Sequence, residues 1–350
     1  MANENKPVAS AQDAVEPLLQ ETKRKLDWSV LILKYNSILL LMILIFVSSF
    51  MSPHFFSYTN LVNVLRQQTN YMLVAMGLLI CMAAGGVDLA LAAAVGISNI
   101  LCAEFLLTLH WGIMASIIGS LVVTAAIGAL SGWLVAYLGM APFIVTLCQS
   151  FNLQGWAYFL NRGMVKQISV PGRKVAPPVQ AFLNFCQSND PVLGLPMKFE
   201  FVAIFIVLSW FIMTRTKFGR LMIATGSNPI AARLAGIDTR RYRMAGFAIA
   251  SFACAMTGVI ITGATASASS MSFTGDYTMI AMAAAIIGGS SLEGGGGSVP
   301  FTVVGIFVMG LINNIMQLAN IPAYPQYIVK AAIIILAIYM RTQVNQRLTA

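Results

Sequence analysis

Residues 215–243 read RTKFGRLMIATGSNPIAARLAGIDTRRYR, a polar and basic island between two long apolar runs. Seven of the chain's 21 Lys and Arg fall in it (Arg215, Lys217, Arg220, Arg233, Arg240, Arg241 and Arg243), against one acid, Asp238. Short loops this rich in Lys and Arg stay on the cytoplasmic side of a membrane, so the island reads as cytoplasmic. Within it, Asn228 can accept the free backbone N–H groups of a helix opened by Pro229, whose fixed φ suits a first helical position, and Gly236 can stop that helix. The spacing predicts about two turns, Pro229 to Ala235, in which Ile230, Leu234 and Ile237 form a narrow apolar stripe beside small alanines and Arg233. Such a helix suits insertion into a groove on another protein. The alternative is a short helix lying on the membrane surface, or a loop packed under the bundle.

Outward from the island, hydrophobic residues make up 58% of the 350 and charged residues only 9%. A soluble domain carries about 25% charged residues, so the pattern predicts an all-α polytopic membrane protein. The net charge of +9 comes mostly from Lys and Arg beside apolar runs, where they act as orientation signals, and implies no nucleic-acid partner. Cys81, Cys102, Cys148 and Cys254 fall in apolar runs and only Cys186 in a polar loop, so no disulfide or metal framework is implied.

Ten apolar segments are expected, at roughly 36–52, 69–85, 89–108, 111–138, 142–160, 199–214, 244–265, 277–289, 299–319 and 323–340. Several are shorter than the ~20 residues of a straight crossing and read as broken or partial helices. Residues 1–34 form a cytoplasmic tail without a removable signal, 35–340 the transmembrane domain with 215–243 as its cytoplasmic loop, and 341–350 a second cytoplasmic tail. Residues 53–68 read as an external amphipathic link and 161–198, with five prolines, as the one long external loop. Ten crossings from a cytoplasmic amino terminus place fourteen Lys and Arg inside and six outside (Arg66, Arg162, Lys166, Arg173, Lys174 and Lys198), with Lys330 in the membrane. That bias has the expected sign.

Two stretches are alike. Tyr71 to Ile97 and Tyr277 to Ile306 each run from a Tyr through an Ala/Met-rich segment to a Gly-Gly pair, Gly85-Gly86 or Gly288-Gly289, and resume with Val-Gly-Ile. Two weakly similar halves with Gly-interrupted segments are a common plan for transporters. Asp88 and Glu293 follow the two Gly-Gly breaks and can satisfy backbone N–H groups at the start of the next helix. Glu104 nears the outer boundary, Asp276 caps the segment from Tyr277, and Lys330 either pairs with an acid or extends to the interface.

In the fifth segment Gln149, Asn152 and Trp156 recur at i, i+3, i+7, with Gln154 nearby. An uncharged polar face beside an aromatic ring suits a hydroxylated solute, or else serves hydrogen bonding between helices. Asn313, Asn314 and Gln317 repeat the signal in the ninth segment. No G-x-x-x-x-G-K-[ST] loop occurs, so the chain does not cradle ATP phosphates itself. His54 and His110 are isolated, and neither a zinc helix nor a G-x-S-x-G elbow is present, so no catalytic residue is expected.

The segments Gly85-Gly86-Val87-Asp88-Leu89, Pro142-Phe143-Ile144-Val145-Thr146-Leu147, Thr216-Lys217-Phe218-Gly219-Arg220, Gly226 with Ala231-Ala232-Arg233-Leu234-Ala235-Gly236-Ile237, and Gly288-Gly289-Ser290-Ser291-Leu292-Glu293-Gly294-Gly295 occur in an order that resembles the permease subunits of bacterial ABC importers for ribose and other simple sugars. That group also includes the branched-chain amino-acid permeases. The resemblance runs from about Phe56 to Tyr339. It implies that Asn228 to Ile237 is the coupling helix docking on a separate cytoplasmic ATPase, which binds ATP and Mg while this chain binds no cofactor. It also implies two permease copies around one path and a periplasmic solute-binding protein, with lipid around the bundle. Where the family often reads Gly-Tyr-Glu-Leu-Asp-Ala, this chain has Thr278 and Ile280 in place of the acids. A sugar or polyol carried by alternating access is the expectation; an ion-coupled secondary transporter using Asp88 or Asp276 is the alternative.

Overall fold

The computed structural model describes residues 36–169, 172, 174–270, 276–292, 294–322, 324–332, 335 and 339. Glu293 and the expected tails, 1–34 and 341–350, lie outside the described residues. The helices are α1 (Asn36–Met51), α2 (Tyr58–Ala83), α3 (Leu91–Leu107), α4 (Ile113–Tyr137), α5 (Pro142–Asn161), α6 (Pro177–Gln187), α7 (Met197–Arg215), α8 (Lys217–Ser227), α9 (Pro229–Leu234), α10 (Thr239–Thr265), α11 (Tyr277–Ile287) and α12 (Val299–Leu318). Residues 324–332 are helical as well. The two strands form a minimal ribbon, β1 (Lys166–Gln167) antiparallel to β2 (Ser267–Ala268), with Lys166 opposite Ala268. Among the described residues, α4, α7, α10 and α12 are each long and apolar enough to cross a membrane, while α1, α3 and α11 are shorter apolar helices. The chain is an all-α membrane protein with a two-residue ribbon.

Residues 58–68 are not a link. Ser57 accepts the Asn60 N–H at 3.3 Å and opens α2 there, eleven residues before the apolar run begins. The polar residues of this stretch are spent on other elements. Asn60 and Asn314 exchange amide hydrogen bonds of 3.2 and 2.8 Å, Gln67 reaches Gln317 at 3.4 Å, and Arg66 donates to Asn189 at 2.7 Å. Polar side chains joining helices in this way are common in membrane bundles.

α10 is the hub of the core and packs against α4, α2 and α3. Small residues allow this closeness. A Cβ built on Gly128 of α4 would stand 2.2 Å from Ser251 Oγ, and one on Gly258 of α10 would stand 2.4 Å from the Val95 carbonyl of α3. Without a hydrophobic drive between helices in lipid, such backbone approach supplies the packing contacts that hold them together. Met72–Met76 and Leu78–Ala83 of α2, its cap Ala84 and much of α3 are buried in the same core.

At the end opposite the island, α6 is fastened onto the last turn of α10. Gln187 Nε2 donates to the Gly263 carbonyl at 3.0 Å, and buried Cys186 packs on Gly263. Glu104 at the end of α3 forms an ion pair with Lys166 of β1, which also reaches Thr108 at 3.3 Å.

Candidate functional site

The island folds as three consecutive helices, each opened by its own side-chain cap. Thr216 Oγ1 accepts the Gly219 N–H at 3.2 Å and starts α8. Asn228 Oδ1 accepts the N–H groups of Ile230 (3.1 Å) and Ala231 (2.9 Å), and Pro229 takes the first position of α9. Asp238 Oδ1 accepts the Arg240 N–H at 3.2 Å, and its other oxygen lies 2.8 Å from Arg241, so it opens α10. Gly236, at φ 79°, terminates α9 in the left-handed region. The Asn228 cap follows from the sequence, whereas α8 and the early start of α10 emerge only in the structure, with Thr216 and Asp238 as their local signals.

On α9 the side chains divide sharply. Ala232 is 5% exposed and fixes the helix to the body, whereas Ile230 is 67% and Leu234 86% exposed. Ile237 is half-buried and Arg233 exposed. Beside α9 a cavity of about 460 Å³ opens between Phe218 and Leu221 of α8, Ile237, and Tyr242 of α10. The element thus offers two apolar side chains to the outside on a helix whose backbone is already fixed.

α8 ties this element to the interior through three glycine motifs that are far apart in sequence. A Cβ on Gly226 would lie 2.2 Å from the Ala83 carbonyl, 2.6 Å from the Gly295 nitrogen and 2.8 Å from the Gly85 nitrogen. One on Gly294 would lie 2.7 Å from the Gly85 Cα, and the Gly295 N–H donates to the Met82 carbonyl at 3.2 Å. Every near atom around Gly226 is backbone, so only glycine fits. The end of α2, the loop after α11 and the helix leading into α9 therefore meet with no side chain between them.

Both helix breaks close in the same way. The Gly86 N–H donates to the Cys81 carbonyl at 3.0 Å, and the Ser290 N–H to the Ala285 carbonyl at 2.9 Å. A left-handed glycine stands in each turn, Gly85 at φ 82° and Gly289 at φ 97°, as in a Schellman closure. Gly85 therefore corresponds to Gly289, and Gly86 to Ser290, one residue off the pairing of the two Gly-Gly dipeptides. Gly288 packs on Thr302. Asp88, 2% exposed, accepts the Ala90 N–H at 2.8 Å just ahead of α3. Asp276 does hold the cap position of α11, but its carboxylate makes no capping bond. It lies 2.6 Å from Lys330 Nζ instead, since the ammonium offers a stronger partner than a backbone N–H.

The polar face of α5 lies on the outside of the chain. Asn152 and Trp156, with Gly155 and Phe159, line a shallow groove of about 350 Å³; Gln149 is half-buried, and Gln154 donates to Ser150 at 3.3 Å. Asn313 is buried and Asn314 is committed to Asn60. α5 packs on α3 and α4, whereas α12 packs on α11, α1, α2 and α7, so the two polar clusters are not brought together. Among the described residues, no three His, Cys, Asp or Glu side chains converge as a metal site would need.

Residues 60–338 match the family described as branched-chain amino acid transport system / permease component. The chain is 29% identical over 309 residues to the ribose import permease protein of Haemophilus influenzae, covering 88% of this chain and 92% of that one. It is 30% identical over 306 residues to the D-allose transport system permease protein of Escherichia coli (87% and 90% covered) and 29% identical over 344 residues to the xylose transport system permease protein of the same organism (84% and 87%). No solved structure gives a significant match. With a match that runs from α2 into the last helix and covers every glycine motif that meets at Gly226, the chain belongs to the branched-chain amino acid transport system / permease component family.

Proposed function

We propose that this chain is the membrane-spanning subunit of an ATP-driven importer that carries a monosaccharide or related polyol across the bacterial inner membrane by alternating access. The observation that carries the reading is α9, a capped helix held by Ala232 that leaves Ile230 and Leu234 exposed. A cytoplasmic ATPase takes those two side chains in an apolar groove and supplies ATP and Mg, while this chain binds no cofactor. Relatives named for ribose, allose and xylose support the sugar class. A periplasmic solute-binding protein delivers the sugar at the α6 end, and a second permease copy completes the path.

Ten crossings in two similar halves, with both termini cytoplasmic, accommodate the helices and the charge bias; the matched closures at Gly85 and Gly289 support the halves. Asp88 and Asp276, the carboxylates an ion-coupled carrier would use, are engaged by Ala90 and Lys330, which favours the ATP-driven reading. The test is reconstitution of the chain with its ATPase and binding-protein partners. ATP-dependent uptake of D-ribose, D-allose or D-xylose is expected. Uptake driven by an ion gradient without ATP would refute the proposal.

A further inference from the structure

The Asp276–Lys330 pair lies where α11 meets the last helix. The side chains are 22% and 15% exposed, so the pair is sheltered but reachable. Lys330 Nζ also stands 5.2 Å from the centre of the Tyr327 ring, and Tyr327 is 54% exposed. On the sheltered side, the Tyr71 and Tyr277 rings are 5.0 Å apart, and Asn70, whose side chain reaches Tyr277, has a buried Oδ1 with no hydrogen-bond partner among the described residues. Within residues 324–332, only Gln326 and Lys330 are half-buried and the rest are exposed. The last helix thus leans on the bundle through two polar residues one turn apart.

A charged pair in a membrane segment faces protein or a water-filled cavity rather than lipid. Among the described residues the pair uses one oxygen of Asp276 and one N–H of Lys330. An ionised carboxylate has further lone pairs and an ammonium has three donors, so both groups can still bond a ligand. A carboxylate, an ammonium and an exposed phenol ring side by side match a sugar, whose hydroxyls both donate and accept and whose C–H face lies against an aromatic ring.

We infer that Asp276, Lys330 and Tyr327 form a hydroxyl-binding station for the sugar on its way through the membrane. The inference rests on the importer reading above. Asp276 accepts from one hydroxyl, Lys330 donates to its neighbour, and the Tyr327 ring covers the carbon face. Because the two charges already neutralise each other, the station holds its ligand weakly and lets it leave, as a conducting path requires.

The test uses the complete complex in vesicles, with D-ribose, D-allose and D-xylose each presented on saturating binding protein. Asp276→Asn, Lys330→Gln and Tyr327→Leu should leave ATP hydrolysis stimulated by loaded binding protein. They should lower sugar moved per ATP about tenfold, the loss expected for one hydrogen bond to a charged group, and change the order of preference among the three sugars. A pair that only staples the last helix predicts otherwise, because apolar replacement of a sheltered pair is often tolerated. Full uptake of all three sugars by Asp276→Leu/Lys330→Leu would therefore overturn the station. So would unchanged uptake and preference in Tyr327→Leu, a substitution at an exposed position that leaves the fold intact. If the unsubstituted complex moves none of the sugars, the station falls with the importer reading; if it transports and the variants match it, the station alone fails.

Discussion

Leu234→Asp separates docking from folding. With 86% of Leu234 exposed, the aspartate enters water in the isolated chain and has no packing to disrupt, so the variant should purify and elute as the parent does. In the complex, the leucine is expected to fill an apolar pocket of the ATPase. Full burial of a Leu side chain contributes about 1.5–3 kcal/mol, and truncating an interface anchor costs about 2–4 kcal/mol. Taking ~3 kcal/mol, affinity for the ATPase falls about a hundredfold. Burying an unpaired carboxylate only adds to that. Arg233→Glu should act mainly on encounter rate and salt dependence, as a charge on the rim of a contact does. Ala232→Asp, at a site 5% exposed, should by contrast impair folding itself. The assay is co-purification of the ATPase together with its stimulation by sugar-loaded binding protein. If Leu234→Asp retains both at the parental level, α9 is not the docking element.

Gly226→Ala would push a methyl to 2.2 Å from the Ala83 carbonyl, and backbone cannot move aside as a side chain can. Overpacking of this kind costs about 1–3 kcal/mol, so a lower melting temperature and weaker coupling of ATP hydrolysis to uptake are expected; normal values for both would mean that the junction yields freely. For sidedness, a cysteine at exposed Ser188 should react with an impermeant thiol reagent from outside and one at exposed Arg240 should not, each in a Cys148→Ser background because Cys148 is the exposed native thiol; the reverse pattern would overturn the proposed orientation. Burial pushes the Cys186 thiol up to about 12, with Lys198 pulling weakly the other way. A raised value keeps the thiol protonated through the ordinary thiol range, and the resulting contribution to stability is full below that range and is lost as pH rises from it toward 12, so alkylation of Cys186 in the folded protein should be negligible from pH 7 to about 9 and fast after denaturation. Fast alkylation at pH 8 without unfolding would place α6 off the end of α10.

What the chain discloses locally was legible, and what it discloses through distant partners was not. Asn228, Pro229 and Gly236 carry the limits of α9 within nine residues because caps act on the nearest N–H groups. The polar run ahead of Tyr71 reads as an amphipathic link because nothing near Asn60 or Gln67 reveals that Asn314 and Gln317 wait on another helix. Gly85, Gly226 and Gly294 were each visible as motifs, but their meeting depends on the packing of three elements. The α5 polar face was found as a pattern, whereas the Asp276–Lys330 pair joins residues 54 positions apart, and only packing could select between pairing and extension to the interface.

The eleven residues of α11 also bear on how the protein is made. At 1.5 Å per residue the helix is about 16 Å long, roughly half of a hydrocarbon core of about 30 Å. Inserted alone, it would leave its terminal backbone groups unsatisfied in lipid. In the finished protein its C-terminal carbonyls are taken up by the turn through Gly288 and Ser290, and the helix packs on α2 and α12. α11 thus lacks the length to cross by itself, and it relies on packing against both α2 and α12 for its place in the bilayer. A nascent chain stopped before Val299 should hold this segment outside the membrane, which makes assembly of the second half a late and concerted event of biogenesis.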